Sequence, residues 1–450
     1  MFGTDGIRGR VNVYPLTAEM ILRFGMAAGI YLRSEDNECK TNVIIAKDTR
    51  LSGYLLESSL IAGLVSVGID VILVGPMPTP AISKLIRSLR VSFGIMITAS
   101  HNPHHDNGFK LFNKYGEKLT ENCEKEICQL IERNHFEEEL APPNKLGRVL
   151  RLDDAPGRYI EHVKRALPNK TNLQGFRIVV DCGNGAAYRI APVVFWELGA
   201  NVIPIHNEPD GLNINNLCGS IYPQSLQSKV IETRADIGIA LDGDADRVCI
   251  CDENGEIVDG DHIIGVIALE LLHNQRMKKN ESIIITDTSN DGLCDYAKDM
   301  GFSIIRTKVG DRNVAQAMKK NNSSLGAEKS GHIIISDYGI VSDGIVAALH
   351  ILSYIIRVKK KTSSIHKIFP LYPQYNDNIY FYGDNPLMIQ NVKNEIDEVI
   401  SLNKDYRILV RKSGTERLIR LMVEGKIHHK TIEIGEEIKK ILLKSIAVKS

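Results

Sequence analysis

Residues 177–205 open with Arg177-Ile-Val-Val180, a run of strand length, and break at Asp181-Cys-Gly-Asn-Gly185. A helix-forming stretch continues to Leu198, Gly199-Ala-Asn201 stops it, and Val202-Ile-Pro-Ile205 returns as a second strand. Strand, aspartate-bearing turn, helix, glycine stop and strand make the pattern of a βαβ unit. The pattern occurs twice more. Val43-Ile-Ile-Ala46 leads into Lys47-Asp48-Thr49-Arg50, a helix over residues 55–67, Gly68-Ile69-Asp70 and the strand 71–74. Ser282-Ile-Ile-Ile285 leads into Thr286-Asp287-Thr-Ser-Asn290, a helix to Asp299, Met300-Gly301-Phe302 and the strand 303–305. Right-handed crossovers lay such strands in sheets covered by helices, with the aspartate turns along one edge.

At 450 residues the chain exceeds what one core supports. The pattern predicts an α/β fold of three related mixed-sheet domains plus a smaller C-terminal α+β domain. Boundaries fall near Ala141-Pro-Pro-Asn144, near residues 252–260 and near Phe369-Pro-Leu-Tyr-Pro373. The expected domains are 1–150, 151–252, 253–368 and 369–450. In the last, strands are expected at 406–410 and 418–423 around a polar loop, with a final helix from about residue 429.

Lys+Arg and Asp+Glu both number 55, so the chain has no net charge to attract nucleic acid or an anionic membrane. One Trp and few other aromatics give no stacking platform for bases. The eight cysteines include no Cys-x-x-Cys pair, and Cys249 and Cys251 alternate along a strand, as core residues do. No secretory apolar segment opens the chain, and the run 345–356 is too short to span a bilayer. A reduced, soluble, cytoplasmic protein is expected.

The chemistry is carried by short polar segments. Thr98-Ala-Ser-His-Asn-Pro103 follows the apolar run 93–97, so Ser100 stands at a strand end, where it suits a nucleophile or phosphate carrier. The competing reading is a capping turn. Asp242-Gly-Asp244-Ala-Asp246-Arg247 converges three hard oxygens, as Mg²⁺ or Ca²⁺ requires; the strand-like residues 248–251 count against an EF-hand, and an acidic turn without metal is the alternative. Arg411-Lys-Ser-Gly-Thr-Glu416 has the composition of a phosphate cradle. Glu328-Lys-Ser-Gly-His332 offers groups to a hydroxylated ligand. Phe2-Gly-Thr-Asp-Gly-Ile-Arg8-Gly9 brings Arg8 and exposed backbone to a phosphate. Lys110, on the next strand after Ser100, can return to the nucleophile, and Lys308 is a further ligand candidate.

Together and in this order, TDGIRG, TASHNP, DGDADR, GAEKSGH and RKSGTE resemble the α-D-phosphohexomutase superfamily over essentially the whole chain. The resemblance implies four domains in a heart-shaped arrangement around a central cleft. It implies a phosphoserine at Ser100, with His101, Arg8, Lys110 and Arg247 around the transferring group. One Mg²⁺ per active site would be bound by Ser100, Asp242, Asp244 and Asp246. Lys308, Glu328, Ser330 and His332 would meet the sugar; Arg411, Ser413, Gly414, Thr415 and Arg420 would meet its other phosphate. The implied activity exchanges the 6- and 1-phosphates of a hexosamine through a hexosamine or hexose 1,6-bisphosphate that also serves as activator, with neutral hexose phosphates as the alternative substrates. A small sugar phosphate is then the partner, with no nucleic acid and no membrane; a homodimer stays open. A serine phosphatase would need no Arg411 cradle, and a sugar-phosphate binding protein would need no Ser100 nucleophile. Lys329, Arg417 and Ile221-Tyr222, beside the sugar and phosphate loops, depart from the usual residues of the subfamily that the chain most resembles.

Overall fold

The computed structural model describes residues 6–35, 41–133, 135–413 and 417–447. The chain divides into two units, Met1–Thr288 with Met300–Ile368, and Ser289–Asp299 with Phe369–Ser450.

The larger unit holds three sheets. The first contains β1 (Ile7–Arg10), β2 (Asn42–Lys47), β3 (Asp70–Pro76), β4 (Phe93–Ile97), β5 (Asp106–Phe112) and β6 (Val149–Arg151), ordered β1-β5-β4-β2-β3-β6. The second contains β7 (Arg177–Asp181), β8 (Asn201–Ile205), β9 (Ile237–Leu241) and β10 (Val248–Asp252), ordered β10-β9-β7-β8. The third contains β11 (Ser282–Thr286), β12 (Ser303–Thr307), β13 (Leu325–Ala327) and β14 (Ile333–Ile335), ordered β12-β11-β13-β14.

One four-strand plan repeats in all three, as β3-β2-β4-β5, β8-β7-β9-β10 and β12-β11-β13-β14. Three strands run parallel, and the last turns back antiparallel on the third. The loop between them therefore leaves the carboxyl end of a parallel strand, where open α/β sheets place their ligands. Ser100 follows β4, the three aspartates follow β9, and Glu328 follows β13. The fold delivers one chemical loop per repeat.

The strands form where sequence periodicity places them because they are covered on both faces. Every residue of β4 and β9 is buried, as for strands between helical layers. Over the first sheet, Phe24 of the helix Ala18–Glu35 meets Phe109 of β5 with ring centroids 5.4 Å apart. Each such fully buried apolar side chain contributes about 1.5–3 kcal/mol. The apolar run at 345–356 is a helix, Gly344–Val358, buried from Gly344 through Ile355. Among the described residues no helix is long and apolar enough to cross a membrane.

The smaller unit has an antiparallel sheet of β15 (Gln374–Tyr380), β16 (Arg407–Lys412) and β17 (Leu418–Glu424), ordered β15-β17-β16, with helices Gln390–Leu402 and His428–Ala447. The sequence pattern foresees β16, β17 and the last helix but not β15 or Gln390–Leu402. β15 reads Gln-Tyr-Asn-Asp-Asn-Ile-Tyr, with the strand-depleted run Asn-Asp-Asn at its centre, and is held by its pairing with β17. The helix Asp291–Asp299, which joins β11 to β12, also belongs to this unit. Buried Glu424 explains this: its carboxylate accepts from Asn290 Nδ2 (2.8 Å), Asp291 N (2.9 Å) and Arg407 Nη2 (2.9 Å).

Helices Ala18–Glu35 and Ser52–Ser66 approach to backbone contact. A Cβ on Gly63 would lie 2.2 Å from the Leu22 carbonyl oxygen, inside any real contact distance. Alanine ordinarily stabilises a helix interior by about 1 kcal/mol over glycine. Here the helices must separate, at a cost of about 1–3 kcal/mol. Gly63→Ala should therefore lower the thermal midpoint in circular dichroism melts; an unchanged or raised midpoint contradicts the packing described.

Candidate active site

Ser100 is buried and has φ +51°, a left-handed conformation that costs a non-glycine residue about 1–2 kcal/mol. The local partners outweigh that cost. Its N–H donates to Thr98 Oγ1 at 2.9 Å, and its carbonyl accepts from Arg50 Nη2 and Asn215 Nδ2, both at 2.9 Å. This turn aims Oγ at the second sheet, where it donates to Asp242 Oδ2 at 2.8 Å. His101 Nδ1 is 3.4 Å from Ser100 Oγ. Burial, then the charges of Arg247 and Arg8, lowers the His101 pKa to about 3, so its imidazole is neutral at physiological pH.

The aspartate loop packs directly under this turn. A Cβ on Gly243 would sit 2.5 Å from the Ser100 carbonyl oxygen, so only glycine fits there. Asp242, Asp244 and Asp246 are buried and each offers an oxygen within 4.8 Å of the others. Lys110 Nζ bridges Asp244 Oδ2 and Asp246 Oδ2 at 2.6 Å each, and Thr79 Oγ1 also donates to Asp244. Burial, followed by repulsion from Asp246 and Asp244, raises the Asp242 pKa well above the usual carboxylate range. Burial acts the same way on Asp246, but Lys110, His332 and Arg247 outweigh it and bring its pKa below that range.

These residues fit a hard divalent cation. Asp244 Oδ1 and Asp246 Oδ1 are buried and accept no hydrogen bond, although buried carboxylate oxygens are costly to leave without a donor. The Lys110 ammonium occupies the other oxygen of each, and His332 Nδ1 lies 3.5 Å from Asp246 Oδ1. A Mg²⁺ ion satisfies such oxygens.

The third loop closes on the second. Arg247 Nε lies 2.7 Å from His332 Nε2, and an arginine can only donate. Nε2 is therefore the acceptor, which assigns the ring proton to Nδ1, 3.0 Å from Ser342 Oγ and 3.2 Å from the Asp246 carbonyl. Arg247 also stands 4.0 Å from Asp242 Oδ2. Glu328 is buried and accepts from Gly310 N at 3.2 Å. Burial, then Asp311, raises its pKa to about 7.

The larger unit thus brings together Ser100, His101, Lys110, Arg247, the three aspartates and His332. Arg8, on β1 opposite Gly108, reaches His101 with its charge. Lys308 and Ser330 are exposed, and no contact ties them to Ser100. In the smaller unit, Arg411 and Arg420 are exposed and directly opposite each other on β16 and β17. Like charges so placed repel unless an anion lies between them. Ser413 is buried and donates its N–H to the Leu418 carbonyl at 2.8 Å. Gly414 and Thr415 lie outside the described residues.

Sequence reasoning missed Arg50, Asn215 and Thr79. Arg50 Nη1 donates to the carbonyls of Pro103 and Asp106, Nη2 to those of Ser100 and Asn102, and Nε to Asp48 Oδ2 at 2.8 Å. The one signal for Arg50 was its place in the aspartate turn after β2. Asn215, far from Ser100 in sequence, had none.

Family models for phosphoglucomutase/phosphomannomutase match the chain in four parts: domain I over residues 1–138, domain II over 157–255, domain III over 259–372 and the C-terminal domain over 383–440. The chain belongs to the phosphoglucomutase/phosphomannomutase family, the phosphohexomutases. Within it, a protein named phosphoglucosamine mutase from Rhizobium johnstonii is 50% identical over 94% of each chain. A solved phosphoglucomutase/phosphomannomutase family protein from Burkholderia thailandensis shares the fold with a TM-score of 0.82 at 24% identity, over 99% of this chain and 97% of that one. So does Aspergillus fumigatus N-acetylphosphoglucosamine mutase, solved in complex with GlcNAc-6P and magnesium, at 0.65 and 16% identity over 99% and 96%.

Glu328 generates a pH test. Its folded pKa lies above its unfolded value, so from about pH 4.5 to 7 the unfolded chain releases this proton first and stability falls as pH rises. Glu328→Gln should remove that part of the decline, flattening the thermal midpoint across this window relative to the unsubstituted protein. Parallel profiles for the two proteins contradict the assignment.

Proposed function

We propose that the protein interconverts glucosamine 6-phosphate and glucosamine 1-phosphate through a phosphorylated Ser100. The observation that carries this reading is the Ser100 hydroxyl 2.8 Å from an aspartate of the metal-type loop, in a chain half-identical to a phosphoglucosamine mutase. The four domains proposed are 1–150, 151–252, 253–368 and 369–450, and cytoplasmic amino-sugar metabolism is the proposed setting, feeding nucleotide-sugar and cell-wall synthesis.

In the first half-reaction the bond from Ser100 Oγ to phosphorus breaks and a bond from phosphorus to the substrate's free hydroxyl oxygen forms. The hydroxyl loses its proton, Ser100 regains one, and the sugar carries phosphates at carbons 1 and 6. In the second, the phosphate already present at the start returns to Ser100. One Mg²⁺ held by Asp242, Asp244, Asp246 and the Ser100 phosphate would neutralise charge on the transferring oxygens. Lys110, Arg247 and Arg8 supply fixed positive charge in a region where the buried carboxylates are closely packed. Arg50 and Asn215 keep Ser100 in its turn. His332 holds the Arg247 side chain through Nε2, while Glu328, Ser330 and Lys308 are proposed to meet the sugar. Arg411, Ser413, Gly414, Thr415 and Arg420 are proposed to bind the phosphate that is not being transferred. The same grip then serves either end of the sugar, because it reads a phosphate rather than a ring. A hexosamine or hexose 1,6-bisphosphate is the proposed activator.

Two measurements test this reading. With Mg²⁺ and a 1,6-bisphosphate activator, glucosamine 6-phosphate should turn over faster than glucose or mannose phosphates; equal or faster use of the neutral sugars overturns the substrate assignment. Ser100→Ala should retain the fold and lose more than about a thousandfold in kcat.

Asp244→Asn removes a ligand oxygen charge and a Lys110 partner together. The Mg²⁺ concentration for half-maximal activity should rise severalfold in this variant. An unchanged magnesium titration removes Asp244 from the ligand set.

A further inference from the structure

The helix Asp311–Asn321 lies between β12 and β13 of the third sheet, yet its charged residues pair with the chain that follows β5 of the first. Lys118 Nζ is 2.5 Å from Asp311 Oδ2, and both side chains are only 9% exposed. Arg312 grips Glu124 with two parallel bonds, Nη1 to Oε2 at 3.1 Å and Nη2 to Oε1, and this pair is largely buried too. Lys319 and Glu117 pair at 2.9 Å nearer the surface. The anchors adjoin the hairpin that carries the nucleophile. Lys118 forms a β-bridge with Phe112, the last residue of β5, and Lys110 stands on that same strand.

The other end of this clasp reaches the sugar loop. Gly310, the residue that caps the helix, donates its N–H to Glu328 Oε1 at 3.2 Å. One Asp311 carboxylate oxygen lies within 4.8 Å of an Asp246 oxygen and of a His332 ring nitrogen. Stability alone is a poor reason for such pairs. Removing two charges from water offsets much of their attraction, and apolar side chains of similar volume often hold a fold as well. A two-pronged arginine–carboxylate contact does something that apolar packing does not: it fixes an angle as well as a distance.

We propose that Lys118, Glu124, Asp311 and Arg312 are positioning residues, which hold Glu328 in place for the sugar relative to the Ser100 hairpin. The inference rests on the reading of Glu328 as a sugar contact. The four residues act through the start of the helix: the two ion pairs fix Asp311 and Arg312, and the adjacent Gly310 N–H orients the Glu328 carboxyl. Their charges reach the same group. Burial and then Asp311 raise the Glu328 pKa, while Arg247, the Gly310 N–H and Lys118 act in the opposite direction. A contact held this way is made equally in the bound substrate and in the transition state, so its loss weakens sugar binding and leaves the chemical step alone. The aspartate loop keeps its own partners, so the response to Mg²⁺ does not depend on the Arg312–Glu124 pair.

The test is a double-mutant cycle on the full chain, read as KM, kcat and the Mg²⁺ concentration for half-maximal activity. Arg312→Met should raise KM for the sugar phosphate by about fivefold or more, with kcat held within about twofold and the Mg²⁺ titration unchanged. In a Glu328→Gln background the same substitution should add less than about twofold, because both changes remove one contact. Glu124→Gln, which keeps the size of the side chain, should show the same pattern and decides the matter if Arg312→Met misfolds. A full effect repeated in the Glu328→Gln background overturns the proposal, as does an unchanged KM or a shifted Mg²⁺ titration. KM is read with whichever hexose phosphate the unsubstituted protein turns over, so a wrong sugar assignment shows in that protein and a wrong positioning assignment only in the cycle. No turnover of any hexose phosphate overturns both.

Discussion

Arg50 is buried, and all five of its N–H groups meet oxygens: four backbone carbonyls between Ser100 and Asp106, and the carboxylate of Asp48. Carbonyls that would otherwise face a low-dielectric interior are thereby satisfied, and the turn around Ser100 has one shape available to it. Hydrogen bonds from a charged donor contribute about 1.5–3 kcal/mol each. The left-handed conformation of Ser100 costs less than these bonds together supply. Removing one partner of such a buried set typically costs about 3–5 kcal/mol, a large part of the roughly 5–15 kcal/mol that holds a domain folded. The Ser100 hydroxyl is positioned by this constraint, and everything proposed for it depends on that positioning.

Repetition of one strand order explains why the remaining groups arrive nearby. Each repeat ends its third parallel strand in a loop that reverses into the antiparallel fourth. The first loop contributes a hydroxyl, the second three carboxylates and an arginine, the third a carboxyl and an imidazole. Their charges are balanced locally in a chain whose total is zero: Lys110 and Arg247 face three buried aspartates. The balance is incomplete in a useful direction, because the carboxylate oxygens without donors are those that a divalent cation would take.

Much of this was legible in the sequence, for physical reasons. The run at 93–97 is apolar throughout because β4 is buried on both faces, so its end at Ser100 could be read directly. The aspartates alternate within five residues, and that spacing converges them whatever surrounds the loop. Arg50 and Asn215 were hidden because their partners are backbone carbonyls, which carry no sequence signature. β15 was hidden because its polar residues have no strand pattern of their own; pairing with β17 decides its conformation. Membership of the helix Asp291–Asp299 was hidden too, since it follows from the buried Glu424, which gathers Asn290, Asp291 and Arg407 across a long stretch of chain.

Phosphopeptide mapping of the purified protein tests the central claim most directly, before and after a chase with unlabelled glucosamine 6-phosphate. After loading from a radiolabelled 1,6-bisphosphate, the account predicts label on Ser100 alone, and its departure into sugar phosphate during the chase. Label on another residue, or a Ser100 phosphate that the sugar does not remove, would contradict it.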